Sequence, residues 1–280
     1  EKILVFEPHP DDVAFQIAGS VRKWLNQGKE VAICTVTTGN NSTFDKNISQ
    51  DDIAAIMSRE HRRALELLGI NDEHYIQWDY DDLGIDPGLD RQKLLADMIK
   101  LIRTFRPTTV VTMDPKNILN EENPDHKMVA TTGFEAAALS QHPHLFPEQY
   151  KEDNVEQHYV SRILFYTTPE PDTFIDISGE PFEIKSKMAL AYESQFELLM
   201  TEARERLAGI GVELEIFNMP PKSIWPQMCR SMAEAAAVQC RDMFPERKNV
   251  DLAEAFRLQY PGVVHKLKSL LPDVLDYRDE

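Results

Sequence analysis

The first two-thirds of the chain alternates short apolar runs with helix-like patterns, and this alternation constrains the fold more than any other feature. Strand-like runs cover residues 2–7, 30–38, 74–78, 108–113, 162–167 and 173–177. Helical periodicity covers residues 13–27, 51–68, 91–105, 126–139 and 182–207. Strands that alternate with helices form right-handed crossovers and a mostly parallel sheet. The pattern predicts an α/β fold with six or seven strands and helices on both faces of the sheet.

The pattern changes beyond residue 207. Shorter helices with Pro-containing connections are predicted over residues 226–243, 251–258 and 263–271. We therefore expect one domain over residues 1–207 and a C-terminal helical extension over residues 208–280 that packs on the same domain. Such an extension can shape a site or form an oligomer contact.

The charge balance limits the partners of the protein. The chain has 30 basic and 47 acidic residues, a formal charge of −17, which repels nucleic acid and anionic lipid. No apolar run reaches the length needed to span a bilayer. Three widely spaced cysteines indicate neither a disulfide framework nor a Cys-based zinc site. We expect a cytoplasmic protein with a small-molecule partner and without nucleic-acid or membrane partners; homo-oligomer formation and a leader removed before Glu1 stay open.

The segment Pro8-His9-Pro10-Asp11-Asp12 follows the first apolar run directly. In open α/β sheets, ligands bind in the crevice beyond the carboxyl ends of the strands. An imidazole and two carboxylates at that place indicate a metal or catalytic site. The alternative is that one Asp caps the next helix, which leaves His9 and the second carboxylate without a role.

A second polar segment, Asn123-Pro124-Asp125-His126, lies between the fourth strand run and the helix that follows it. Two loops at the same edge of a sheet can converge. If His9, Asp12 and His126 meet, they form a two-histidine, one-carboxylate set with an open position, as catalytic zinc sites require. Asp11 would then lie beside the metal, placed to take a proton from a water molecule.

These two motifs together resemble the PIG-L/LmbE family of metal-dependent N-deacetylases. Further matching segments extend the resemblance over about residues 2 to 196. They are Thr38-Gly39, Glu60 with Ala64 and Leu68-Gly69, Arg106-Pro107, Leu145-Phe146-Pro147-Glu148, Ile175-Asp176-Ile177 and Lys187 with Ala191-Tyr192-Glu193-Ser194-Gln195.

The resemblance implies a Rossmann-like fold and a hydrolase that removes an N-acetyl or related N-acyl group through metal-activated water. The implied substrate is an amino sugar such as GlcNAc or a GlcNAc conjugate. The resemblance assigns His9, Asp12 and His126 to the metal, Asp11 to the general base and Asp125 to the acidic partner in the second motif. The implied cofactor is Zn²⁺, with Fe²⁺ or another divalent transition metal as the alternative.

Three positions depart from the family pattern. Asn123 replaces a histidine that helps to stabilise the oxyanion or acts as an acid; Asn can donate a hydrogen bond but cannot protonate a leaving amine. Met57 replaces an arginine, which leaves Arg59 either as the nearest substrate-binding candidate or as a surface charge. Tyr192 stands where the family often has a histidine.

Two further acidic positions follow strand runs. Asp114 ends the fourth run, so we expect it either to contact a substrate hydroxyl or to serve a turn or cap. Asp82, after the third run, is a weaker case of the same argument. His61, flanked by arginines, is expected on a helix surface.

The change at Asn123 leaves a second hypothesis open, a metal-binding homologue with weakened or no turnover. In an active enzyme the leaving amine would take its proton from the protonated Asp11 or from a water molecule. A non-haem iron oxygenase uses the same ligand types, but the alternating pattern and the paired Asp11-Asp12 fit hydrolysis better.

Overall fold

The structure is a computed structural model that describes residues 1–85, 90–151 and 154–267. Within these ranges the strands are β1 (Lys2–Glu7), β2 (Glu30–Thr37), β3 (Tyr75–Tyr80), β4 (Thr109–Met113), β5 (Arg162–Tyr166), β6 (Thr173–Asp176) and β7 (Ala253–Gln259). They form one sheet in the order β3-β2-β1-β4-β5-β7-β6. Pairing is parallel from β3 to β5 and antiparallel on both sides of β7. The expected mostly parallel α/β sheet is confirmed.

Helices cover both faces of this sheet, as expected. In chain order they are α1 (Asp12–Gln16), α2 (Ala18–Asn26), α3 (Gln50–Leu68), α4 (Arg91–Phe105), α5 (Pro124–Leu139), α6 (Glu148–Lys151), α7 (Glu180–Ala189), α8 (Glu193–Ala208), α9 (Pro221–Met243) and α10 (Val263–Leu267). One apolar layer packs α1, α2, α3, α7 and α9 on the sheet, and the opposite layer packs α4 and α5. No helix in the described ranges is both long enough and apolar enough to cross a membrane.

The strand order places a crevice between β1 and β4. β1 pairs in parallel with β2 on one side and with β4 on the other, so the chain order reverses at β1. In doubly wound sheets the loops that leave the strands on either side of such a reversal diverge and open a binding crevice. The loops that leave β1 and β4 carry the two polar motifs.

The helical pattern over residues 13–27 forms two helices, α1 and α2, that meet at Ile17. The carboxylate of Glu254 on β7 accepts the backbone N–H groups of Gly19 and Ser20 at 3.1 and 2.7 Å, which satisfies the start of α2. A Cβ at Gly19 would lie 2.9 Å from Ile177, so this close packing needs glycine. The pattern over residues 182–207 is likewise divided into α7 and α8 by residues 190–192.

The predicted helix over residues 251–258 is wrong, because this segment forms β7. Ala and Glu favour a helix locally, but the strand pairs with both β5 and β6, and these distant partners override the local preference. α9 confirms the predicted helix at residues 226–243. α10 covers the start of the last predicted helix, whose remainder lies outside the described residues. The division at residue 207 stays a prediction.

Candidate metal centre

The loop after β1 places His9 and Asp12 side by side. The backbone N–H of His9 donates to Asp12 Oδ2 at 2.9 Å, and both side chains are buried. Asp11 occupies the N-cap position of α1, but its side chain makes no capping hydrogen bond. The capping alternative for the two carboxylates is therefore not what the structure shows.

The segment after β4 brings His126 to the same place. Asn123 caps α5, because its side-chain oxygen accepts the backbone N–H of Asp125 at 2.8 Å. This start of α5 places Nε2 of His126 at 3.1 Å from Nδ1 of His9 and at 3.4 Å from Oδ1 of Asp12. The ligand atoms of the three residues all lie within 4.8 Å of one another. The structure thus brings together the three side chains assigned to the metal.

The outer nitrogen of each imidazole faces a carboxylate. Nδ1 of His126 lies 3.0 Å from Glu121 Oε2, and Nε2 of His9 lies 3.1 Å from Asp82 Oδ1 and 3.4 Å from Asp125 Oδ2. Metal-bound histidines commonly contact a carboxylate or carbonyl through their second nitrogen, which fixes the ring orientation. The inward nitrogens, Nδ1 of His9 and Nε2 of His126, are then left for a cation.

Asp82 has a larger place in the site than the sequence indicates. It is buried, and its Oδ2 accepts the hydroxyl of Ser42 at 3.0 Å. With His9 and Asp125 it forms a second group of potential ligands. Sequence reasoning missed Glu121, because it lies in an irregular loop just before the Asn123-Pro124-Asp125-His126 motif and outside it.

The electrostatics of the cluster favour a cation. Burial alone would lower the pKa of His9, but the nearby carboxylates of Asp12, Asp125 and Asp82 outweigh it and hold that pKa well above its ordinary value. Burial lowers the pKa of His126, but the carboxylates of Asp12 and Glu121 together outweigh it and raise that pKa above its ordinary value.

The carboxylates respond in two directions. Burial and the adjacent charge of Asp12 raise the pKa of Asp11 to about 8. Burial opposes ionisation of Asp12 and Asp82 too, but contacts with the histidines lower their pKa values.

The donor set fits a divalent transition metal. Three carboxylates, from Asp12, Asp82 and Asp125, contact the two imidazoles, and Asp11 adjoins Asp12 in the chain. Oδ1 of Asp125 is buried without a hydrogen-bond partner among the described residues. Two imidazoles with one carboxylate are typical ligands of catalytic Zn²⁺ and also suit Fe²⁺.

Arg59 and Asp114 lie outside this cluster of ligands. Arg59 is exposed on α3, which favours its interpretation as a surface charge. The carboxylate of Asp114 accepts hydrogen bonds from Arg257, Thr168 and the backbone of Lys116, which favours the cap role. As substrate contacts both residues stay predictions.

His61 is not on a surface, contrary to expectation. It is fully buried, with Nε2 at 3.2 Å from Glu7 Oε1 and Nδ1 at 2.7 Å from the hydroxyl of Tyr192. The arginines beside it indicated an exposed helix face, but the helical rotation turns His61 toward the sheet.

The fold and these side chains define a class of protein: a Rossmann-like α/β protein with a candidate metal centre at the point where the strand order reverses. The family model described as PIG-L, GlcNAc-PI de-N-acetylase, matches residues 4–137. A diacetylchitobiose deacetylase from Thermococcus kodakarensis is 30% identical over 196 residues, which cover 70% of this chain and 70% of that protein. This chain belongs to the PIG-L family, whose relatives here are deacetylases.

Two other proteins extend the comparison. A probable N-acetyl-alpha-D-glucosaminyl L-malate deacetylase from Bacillus cereus is 26% identical over 211 residues, covering 73% of this chain and 88% of that protein. The solved structure of N,N'-diacetylchitobiose deacetylase from Pyrococcus horikoshii matches with a TM-score of 0.73 and 25% identity, covering 92% of this chain and 84% of the other. The similarity in structure therefore includes most of the C-terminal segment.

Proposed function

We propose that this chain is a zinc-dependent N-deacetylase that acts on an N-acetylated amino sugar or a GlcNAc conjugate. The convergence of His9, Asp12 and His126 in the β1/β4 crevice is the observation that carries this proposal. The names of the relatives support the substrate class, because they describe deacetylases of diacetylchitobiose and of an N-acetylglucosaminyl malate.

The proposed ligand atoms are Nδ1 of His9, the carboxylate of Asp12 and Nε2 of His126. Zn²⁺ bound there supplies a Lewis acid that polarises the acetamide carbonyl and lowers the pKa of a water molecule. Asp82 and Glu121 keep the two imidazoles turned inward through their outer nitrogens.

Asp11 is the proposed general base. Its carboxylate takes a proton from the attacking water, and a raised pKa makes it a stronger base than an ordinary carboxylate. The same raised pKa allows protonated Asp11 to return that proton to the leaving amine. One residue then serves as base and acid, which removes the need for the histidine that Asn123 replaces. Asp125 acts through His9, whose orientation it helps to hold.

Asn123 is proposed to stabilise the oxyanion. Its side-chain oxygen is already the cap of α5, so the amide NH₂ group is the part that can donate to substrate. A donor aimed at a developing oxyanion acts on the transition state and raises the rate of the chemical step.

The second candidate is a specialised homologue with weak turnover, and the observation that favours it is the absence of an imidazole at residue 123. Asn123→His separates the two: a large gain in acetate release identifies a weakened site. We further propose a cytoplasmic protein with a small-molecule partner and without nucleic-acid or membrane partners; homo-oligomer formation stays open. A screen of N-acetylated amino sugars and thiol conjugates for released acetate, with Zn²⁺ added, tests the function itself.

A further inference from the structure

We propose that Glu7 is a positioning residue that caps α1 in place of Asp11 and so leaves the Asp11 carboxylate free for catalysis. The inference rests on the proposed function in one respect, the role of Asp11 as base. The capping contact itself, and its effect on residues 8–12, the proposed metal-binding loop, are independent of the substrate.

Glu7 closes the metal-binding loop at its base. It is the last residue of β1, and its Oε2 accepts the backbone N–H of Val13 at 2.9 Å. Val13 lies in the first turn of α1, where N–H groups have no partner within the helix. The side chain of Glu7 therefore bridges the two ends of residues 8–12, the segment that holds His9, Asp11 and Asp12.

This contact explains why Asp11 does not cap its own helix. An Asp at an N-cap position ordinarily accepts a backbone N–H from the first turn. Asp11 has that position but makes no such bond. With the Val13 N–H already bound to Glu7, the Asp11 side chain gains less from turning back to the helix and stays available to water and substrate.

A buried network holds Glu7 in this orientation. Its other oxygen, Oε1, accepts the hydroxyl of Thr35 at 2.6 Å and lies 3.2 Å from Nε2 of His61. Nδ1 of His61 in turn lies 2.7 Å from the hydroxyl of Tyr192. All four side chains are buried. A buried carboxylate is tolerated when its oxygens are fully hydrogen-bonded, and these contacts supply the donors.

The network also gives a role to Tyr192, one of the positions where the chain departs from the family pattern. Burial raises the pKa of Tyr192 well above its ordinary value, so its hydroxyl keeps its proton. Because the Glu7 carboxylate opposite Nε2 of His61 can only accept, Nδ1 is the nitrogen that accepts the Tyr192 hydroxyl. His61 then carries its proton on Nε2, facing Glu7. Tyr192 thereby fixes the orientation of the His61 imidazole, which contacts Glu7 at the base of the metal-binding loop.

The test uses Glu7→Gln and Tyr192→Phe in the full chain. Zinc affinity is measured by competition with a chromophoric chelator, and kcat and KM by acetate release. Substitution of a residue that orients metal ligands typically costs about 10- to 100-fold in metal affinity or activity. We expect Glu7→Gln to lower kcat and zinc affinity within that range with KM nearly unchanged, and Tyr192→Phe to act in the same direction to a smaller extent.

Glu254→Gln is the matched control. Glu254 is also a buried carboxylate that accepts N–H groups at a helix start, but it caps α2 and contacts Lys185 away from the metal-binding loop. For Glu254→Gln we expect a lower melting temperature, whereas the two functional quantities, zinc affinity and kcat, should be unchanged. If Glu254→Gln reduced both as strongly as Glu7→Gln does, the effect of Glu7 would be general destabilisation and the proposal would be overturned.

A double variant tests whether Glu7 acts through Asp11. In an Asp11→Asn background, Glu7→Gln should cause no further loss of kcat, because residues that act through one another are not additive. Full additivity would contradict the proposal.

If Glu7→Gln does not fold, Tyr192→Phe carries the same comparison. If the wild type binds zinc but releases no acetate, the proposed function fails, and unchanged zinc affinity in both variants would separately overturn the positioning role.

Discussion

Nδ1 of His9 lies 3.1 Å from Nε2 of His126, although 117 positions separate the two residues in the sequence. The parallel pairing of β1 with β4 causes this approach, because both histidines follow the carboxyl ends of neighbouring strands. Each ring contacts carboxylates through its outer nitrogen, so the two facing nitrogens are the ones left for a cation.

Removal of one of these imidazoles should abolish tight zinc binding. For His126→Ala we expect at least a ~100-fold loss of zinc affinity, at or beyond the upper end of the effect typical of an orienting partner. His144→Ala is the control, since His144 is an exposed loop histidine. Chelator competition measures both variants. Equal zinc affinities for His126→Ala and the wild type would show that His126 is not a ligand.

Asp11→Asn should retain the metal and lose the reaction. Asn has nearly the same shape as Asp but cannot accept the proton of the attacking water, and general-base catalysis contributes roughly 10²- to 10⁴-fold. We expect a fall in kcat within that range and little change in zinc affinity. Full turnover in this variant, assayed for acetate at saturating Zn²⁺, would refute the assignment of Asp11 as base.

Two substitutions separate the two proposed roles of Asn123. Asn123→Ser keeps an N-cap oxygen but removes the amide donor, so stability should be retained while kcat falls ~100-fold. Asn123→Ala removes both groups and should also cost about 1 kcal/mol of unfolding free energy. Urea unfolding and acetate release measure the two effects. An unchanged kcat in Asn123→Ser would exclude the oxyanion role.

The lowered pKa of Asp114 predicts that this residue makes a pH-dependent contribution to the free energy of unfolding. Burial opposes its ionisation, but hydrogen bonds from Arg257 and Thr168 outweigh this and lower its pKa. The unfolded pKa is about 3.9, so the ionised form stabilises the folded state above that pH, and the contribution is lost as the pH falls through the folded pKa. Asp114→Asn should cost about 3 kcal/mol at pH 7, because Arg257 loses its buried partner.

The corresponding measurement is urea unfolding of the wild type and Asp114→Asn at pH 7 and at pH values below 4. The difference in unfolding free energy should narrow at the lower pH values. A difference that stays constant over this range would mean that the charge of Asp114 does not contribute.

The sequence predicts β1 to β6 closely, and most clearly β1, β2, β4 and β5, because buried strands of parallel sheets appear as short continuous apolar runs. β7 escapes prediction since Ala253, Glu254 and Ala255 favour a helix locally and the pairing partners lie far away in the sequence. The break between α1 and α2 depends on Glu254, a contact that no local pattern contains.

The candidate site divides in the same way. His9, Asp12 and His126 are predictable, because the β1 and β4 loops follow runs with clear strand character and carry compact motifs. Asp82 and Glu121 act on those histidines from irregular segments, so only the folded chain reveals their contacts. His61 is the reverse case: its charged neighbours in the sequence predict an exposed position, but the residue is buried and contacts Glu7.

The most direct test of the proposed function is acetate release from N-acetylated amino sugars, including diacetylchitobiose, by metal-stripped protein before and after addition of Zn²⁺. We expect no release from the stripped protein, restored release with Zn²⁺, and no restoration in His126→Ala. Acetate release that is equal with and without the metal, or its absence from every substrate at saturating Zn²⁺, would contradict a zinc-dependent deacetylase.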